Sequence, residues 1–125
     1  MAAGLLLNHS KIMKGKVSQW EVVEVNFQMP DGRFLPHPAL VVSNDELFLD
    51  EEFFYAVLMT TKNYFPKYTI EIKPEMLSKA SSRQGYFATH IVGMFNMDSV
   101  LKKQHTFLKP EYCDFVRNKI IHSIF

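Results

Sequence analysis

Between Trp20 and Phe27 apolar and polar residues alternate: Val23, Val25 and Phe27 fall on one face, Glu24 and Asn26 on the other. That period of two marks a half-buried strand. Tyr68 to Lys73 repeats it, with Tyr68, Ile70 and Ile72 opposed to Thr69, Glu71 and Lys73. Two further runs are apolar almost throughout, Ala39 to Val42 and Phe53 to Thr60, as in strands covered on both faces. Tyr86 to Met97 is a longer apolar stretch, and Gly93 within it predicts a bulge or sharp bend there. From Lys109 the period changes. Pro110 can open a helix, and Cys113, Val116, Ile120 and Ile124 recur at helical spacing on one face.

The intervening segments are read from their breakers. Pro30-Asp31-Gly32 is a turn signal. Arg33 to Pro38 is expected to be a loop, because two prolines remove backbone donors. Asn44-Asp45 ends the first apolar run, and Asp50-Glu51-Glu52 reads as a solvated acidic turn. Pro74 to Lys79 fits one or two helical turns with Pro74 at the first position, Ser81 to Gly85 is a loop, and Asp98 to Leu101 is a turn. Five or six short strands followed by a C-terminal helix predict a mostly β fold, a small and strongly bent barrel-like sheet. A length of 125 residues bounds this to one domain. Residues 1–18 read as a polar, partly basic lead-in (Lys11, Lys14, Lys16), with the domain proper at 19–125.

Composition narrows the function classes. With 47% hydrophobic residues and 11 Phe the core is well supplied, and 22% charged residues argue against disorder. A net charge of +1 creates no global field for nucleic acid, so RNA binding would need a local basic patch or a dimer groove. The single Cys113 excludes an internal disulfide and a multi-cysteine zinc site. The five histidines show no metal-ligand spacing, and the five glycines form no phosphate-binding loop. No metal and no cofactor are therefore expected. Leu5-Leu6-Leu7, with no basic residue before it, is too short for a signal h-region or a membrane span, so the expectation is a cytoplasmic protein without a membrane partner.

One stretch is more specific. His37-Pro-Ala-Leu-Val-Val-Ser-Asn-Asp45 is followed about fifteen residues later by Ala56-Val-Leu-Met-Thr-Thr61. Together with the order of the surrounding elements over roughly residues 20 to 124, this resembles the PemK/MazF-like toxin family. The resemblance implies an SH3-like barrel, a homodimer and a cytoplasmic toxin that cleaves single-stranded RNA without metal. It also implies a cognate antitoxin whose disordered tail enters the substrate groove. In such chemistry the RNA's own 2′-hydroxyl attacks the adjacent phosphorus, leaving a cyclic phosphate and a free 5′-hydroxyl. The step needs a proton acceptor, donors to the phosphorane oxygens and a proton source for the leaving oxygen.

In that family a loop arginine and the threonine ending the next strand carry this work. The threonine falls on Thr60, with Thr61 as its neighbour, and the arginine falls on His37. Arginine stays charged and presents a planar fork to phosphate, whereas histidine is shorter and a better acid or base near neutrality. Two readings follow, proton transfer by His37 itself or a domain that binds without cutting. A third stays with the fold: the related gyrase-poisoning branch binds its target through C-terminal residues, here Ile124-Phe125. Arg33, Thr61, Lys62 and Lys67 lie on the two loops, 28–38 and 61–68, that would border the groove and contact phosphates. The first strand opens Trp20-Glu21 where the family commonly has Gly-Asp.

Each candidate also has an ordinary role. A histidine between prolines can bond locally, Thr60 and Thr61 are β-formers, and the loop cations can be solvated charge. Tyr86, Phe87 and Phe95 could stack bases but read as core. Glu71 is a possible base that its alternating strand turns toward solvent.

Overall fold

The computed structural model describes residues 15–63, 65–80 and 84–125. Six strands form one antiparallel sheet: β1 (Glu21–Gln28), β2 (Phe34–Val41), β3 (Phe54–Thr60), β4 (Thr69–Ile72), β5 (Gly85–Phe95) and β6 (Val100–Phe107), in the order β4-β5-β3-β2-β1-β6. Helix α1 (Asp45–Glu51) joins β2 to β3, and α2 (Pro110–Ile124) closes the chain. Short 3₁₀ turns occupy Pro66–Tyr68, Pro74–Met76 and Met97–Ser99. The expected class, mostly β with a C-terminal helix, is the one found.

The sheet curls on itself. β1 and β5 are three strand spacings apart in the sheet order, roughly 14 Å if it were flat, yet the Phe27 and Phe95 ring centroids lie 5.2 Å apart. The inner face holds Val23, Val25, Phe27, Ala39, Val41, Phe54, Ala56, Leu58, Ala88 and Phe95, joined by Val17. The outer face, carrying Val22, Leu40, Val57, Ile70 and Phe87, is sealed by α2 through Val116, which is fully buried. The helical stripe predicted for α2 holds for Cys113, Val116 and Ile120, but Ile124 is 46% exposed, so the contact ends a turn early. Cys113 lies against the helix with its Sγ near the Lys109 carbonyl, and burial pushes its thiol pKa up. It is a packing residue, as its place in the stripe suggests.

Four local expectations are corrected. Residues 34–38 are strand, not loop. Asn44-Asp45 does not only end β2: the Asn44 side chain accepts the Leu47 N–H (2.8 Å), which opens α1, and Asp45 and Glu46 favour its positive end. Asp50 and Glu51 therefore belong to a helix rather than a turn. Glu52 closes α1 in the left-handed region (φ 63°), donating its N–H to the Phe48 carbonyl. The irregularity in β5 is not at Gly93. The partners jump from Val57↔Val92 to Leu58↔Ala88, so Thr89 to Ile91 form the bulge. Gly93 has another cause: a Cβ there would lie 2.6 Å from the Phe95 ring. Finally, β6 continues where only a turn was expected. It is an edge strand with two register shifts against β1 and a left-handed His105 (φ 56°), so its sequence carries no clean alternation.

Among the described residues no helix is long and apolar enough to cross a membrane. Lys11 and Lys14 of the lead-in lie outside the described residues, whereas Val17 packs in the inner core.

Candidate active site

The Pro36-His37-Pro38 segment shows why a proline-flanked residue can sit in a strand. In β2 the odd residues point their backbone groups toward β1, as the Val41 carbonyl does in accepting the Trp20 N–H. Even residues point toward β3, as Val42 does in donating to the Tyr55 carbonyl (2.9 Å). Pro36 and Pro38 are even, so the donors they lack would all face β3. The ladder to β1 runs unbroken through Val25↔His37 and Asn26↔Pro36 to Gln28↔Phe34. The ladder to β3 stops at Ala39↔Leu58. The next donor on that edge would be the nitrogen of Pro38, facing Met59, and it has no hydrogen.

Two residues beyond that last pair, in the same register, stand His37 on β2 and Thr60 on β3. Both have the parity of the inner face: His37 follows Ala39 and Val41, and Thr60 follows Ala56 and Leu58. The structure thus puts the two predicted residues each two positions past the last β2–β3 pair, with the same face parity, where β2 stays with β1, β3 stays with β5, and no ladder joins them. Both are half-buried. Among the described residues the His37 side chain makes no hydrogen bond or ion pair. The Thr60 hydroxyl oxygen accepts the Lys62 N–H (3.2 Å), which leaves its own proton free to donate elsewhere.

The four residues expected at the groove are placed less uniformly. Thr61 and Lys62 are exposed and follow Thr60 directly. Arg33 sits at the β1–β2 hairpin and is engaged by its neighbour, with Nε 2.7 Å from Asp31 Oδ2. The Arg33 backbone N–H and then its guanidinium hold the Asp31 carboxyl below its usual range. Lys67 lies over the Tyr68 ring (5.5 Å), and its carbonyl accepts from Lys119 Nζ of α2 (2.8 Å). Arg33 and Lys67 therefore do not converge on His37 as the structure stands.

Register adds residues that the sequence did not connect. Thr60 pairs with Tyr86 on β5, and Tyr86 pairs with Glu71 on β4. Tyr86 and Glu71 alternate with Phe87, Ile70 and Ile72, all of which pack on the outer face, so they share the face of Thr60. Gln84 Nε2 donates to Glu71 Oε1 (3.1 Å) and lies 3.4 Å from Tyr86 Oη. Sequence reasoning assigned Tyr86 to the core and Glu71 to solvent, and gave Gln84 no role. Only the pairing of three strands places them in one row with Thr60.

Elsewhere, His90 projects from the β5 bulge and stacks on Tyr68 (4.8 Å between centroids), with Phe65 edge-on at 5.9 Å. Among the described residues its Nδ1 is buried without a partner, and burial lowers its pKa. No group of three or more His, Cys, Asp or Glu suited to a metal ion occurs among the described residues.

Comparison with known proteins follows this geometry. The sequence model of the family described as PemK-like, MazF-like toxin of type II toxin-antitoxin system matches residues 18–124. No curated protein matches the chain by sequence. Among solved structures, the chain is similar to an endoribonuclease in complex with its cognate antitoxin from a mycobacterial species, with TM-score 0.68, 14% identity and coverage of 86% of this chain and 94% of that one. MazF from Deinococcus radiodurans superposes with TM-score 0.67 at 16% identity, covering 83% and 92% of the two chains. A MazE-MazF structure from the same organism gives 0.63 at 15%, covering 87% and 97%. At these identities the likeness is one of fold.

Proposed function

The chain belongs to the PemK-like, MazF-like toxin family of type II toxin–antitoxin systems, and from that premise we propose that it is a metal-independent endoribonuclease cutting single-stranded RNA at His37 and Thr60. One observation carries the proposal: the two residues each lie two positions past the last β2–β3 pair, with the parity of the same side of the sheet, where that ladder ends. The solved structures it resembles include proteins named as endoribonucleases.

In this mechanism a phosphodiester enters between the two strands. The Thr60 hydroxyl, its oxygen already accepting from Lys62 N–H, donates its proton's hydrogen bond to a non-bridging phosphoryl oxygen. The neutral imidazole of His37 accepts the 2′-hydroxyl proton as that oxygen bonds to phosphorus. The imidazolium so formed returns the proton to the departing 5′-oxygen. The products are a 2′,3′-cyclic phosphate and a free 5′-hydroxyl, with no electron or proton unaccounted for. Thr61 and Lys62 hold the flanking backbone, and Arg33 and Lys67 join once they leave Asp31 and the Tyr68 ring. The toxin acts in the cytoplasm as a homodimer and is restrained by a cognate antitoxin, the kind of partner that the MazE-MazF structures name.

The test is cleavage of a long single-stranded RNA in EDTA across pH 5.5 to 8.5, beside Thr60→Ala. Discrete fragments with 5′-hydroxyl ends, absent with Thr60→Ala, are expected. RNA that binds the wild-type protein and stays intact at every pH would replace the enzyme by a binding module.

A further inference from the structure

On the far side of Thr60 from His37 the same row of the sheet continues through Tyr86 to Glu71. We propose that Tyr86, Gln84 and Glu71 form a base-reading subsite that selects guanine next to the scissile phosphate. The proposal rests on the RNA-cleaving reading above and names what that site recognises.

Neighbouring strands are about 4.8 Å apart, so Glu71 lies roughly 10 Å from Thr60 across the sheet. That is about the reach from a phosphate to the Watson–Crick edge of its nucleotide. The Glu71 carboxylate is exposed, and a carboxylate repels a phosphate. It suits a base edge instead. The Gln84 amide donates to Glu71 Oε1 and lies within reach of the Tyr86 hydroxyl, which holds one carboxylate oxygen in place, and no bond to Oε2 is seen among the described residues. Tyr86 is half-buried, so one part of its ring is held by the sheet and the rest can stack against a base.

The choice of base follows from what a carboxylate offers. Ionised, it only accepts hydrogen bonds. An unpaired guanine presents two parallel donors, N1–H and the N2 amino group, on its Watson–Crick edge. Adenine and cytosine each set a ring acceptor beside their single amino donor, and uracil sets carbonyls on both sides of its one N–H. Against a carboxylate, those acceptors meet an acceptor. Single-stranded RNA exposes this edge, and proteins that read RNA sequence use it.

Glu71→Gln converts one acceptor into a donor without changing size, and so complements adenine (N6–H with N1). The experiment is cleavage of oligoribonucleotides that differ only in the base next to one cut site. Wild-type protein should favour guanine over adenine by about tenfold, with inosine, which lacks the N2 amino group, between them. In Glu71→Gln the guanine site should slow by about that factor and the adenine site should speed up. An identical base preference in both proteins, or no preference in the wild type, overturns the proposal. If the wild-type protein cuts nothing, the catalytic reading has failed, and fluorescence anisotropy with the same oligonucleotides decides the subsite separately. Tighter binding of the guanine oligonucleotide, reversed by Glu71→Gln, supports it, and equal binding overturns it.

Discussion

Replacing Pro38 with alanine restores the one N–H that the β2 edge lacks opposite Met59. The new bond contributes about 1 kcal/mol net, and the loss of proline's restriction of the unfolded chain costs about 0.4–1 kcal/mol. The two nearly cancel, so the melting temperature should stay within roughly 4 °C of wild type. The site should not survive so well. Extending the ladder by one pair makes His37 and Thr60 a non-hydrogen-bonded cross-strand pair, with Cα atoms about 4.5 Å apart. Their side chains would then fill the space a phosphodiester needs. A displacement of that kind lowers single-turnover cleavage by about 100-fold. The assay combines a thermal melt, cleavage of a short RNA in EDTA, and hydrogen exchange at the amide that Pro38→Ala creates. Pro30→Ala in the hairpin turn serves as control: it should lose about 0.4–1 kcal/mol through the unfolded chain and leave cleavage unchanged. Protection of the new amide together with wild-type cleavage would refute the reasoning, because the strands would then have closed without harm to the chemistry.

Further expectations follow from other residues. His37→Gln should abolish cleavage yet leave the melting temperature within about 2 °C, since the side chain makes no bond among the described residues; residual activity near wild type would remove His37 from the mechanism. For His90 the folded pKa lies below the ordinary value. The unfolded chain therefore binds more protons as pH falls through about 6.5, and the stability present above that pH is lost progressively toward the depressed folded pKa. Melts at pH 7.5 and 5.5 should show a larger acid-side drop in wild type than in His90→Phe, and equal drops would contradict the burial of this imidazole. Gly93→Ala puts a methyl group 2.6 Å from the ring of Phe95, which is only 7% exposed and wedged against Phe27 and Phe54. A cost of about 1–3 kcal/mol is expected, and an unchanged melting temperature would show that the ring has room to move.

The sequence was most legible where one face of an element is buried and the other is wet. β1 and β4 showed their alternation, and α2 showed its stripe. It was least legible where an edge or a short element breaks the period. β6 pairs on one side only and shifts register twice, and α1 spans just seven residues with none fully buried. The prolines of β2 misled for a physical reason. Their effect depends on which neighbour each missing N–H would face, and that is set by tertiary pairing rather than local sequence. His37 and Thr60 could be chosen by motif, but their matching places past the end of the β2–β3 ladder depend on a register that spans α1. The Thr60–Tyr86–Glu71 row involves three strands, and no spacing along the chain encodes it.

The contact between Phe27 and Phe95 also bears on how the protein is made. The pair is separated by most of the domain, and contacts so distant in sequence close late and make folding slow. On a ribosome His37 and Thr60 emerge well before Phe95 can fold over Phe27 and curl the sheet. A chain cut short before β5 carries both proposed site residues but has no partner strand for β3 beyond β2 and no ring to hold the bend. On the proposed mechanism the nascent chain is expected to stay inert until its last strands are in place, so that cleavage begins only with the near-complete polypeptide.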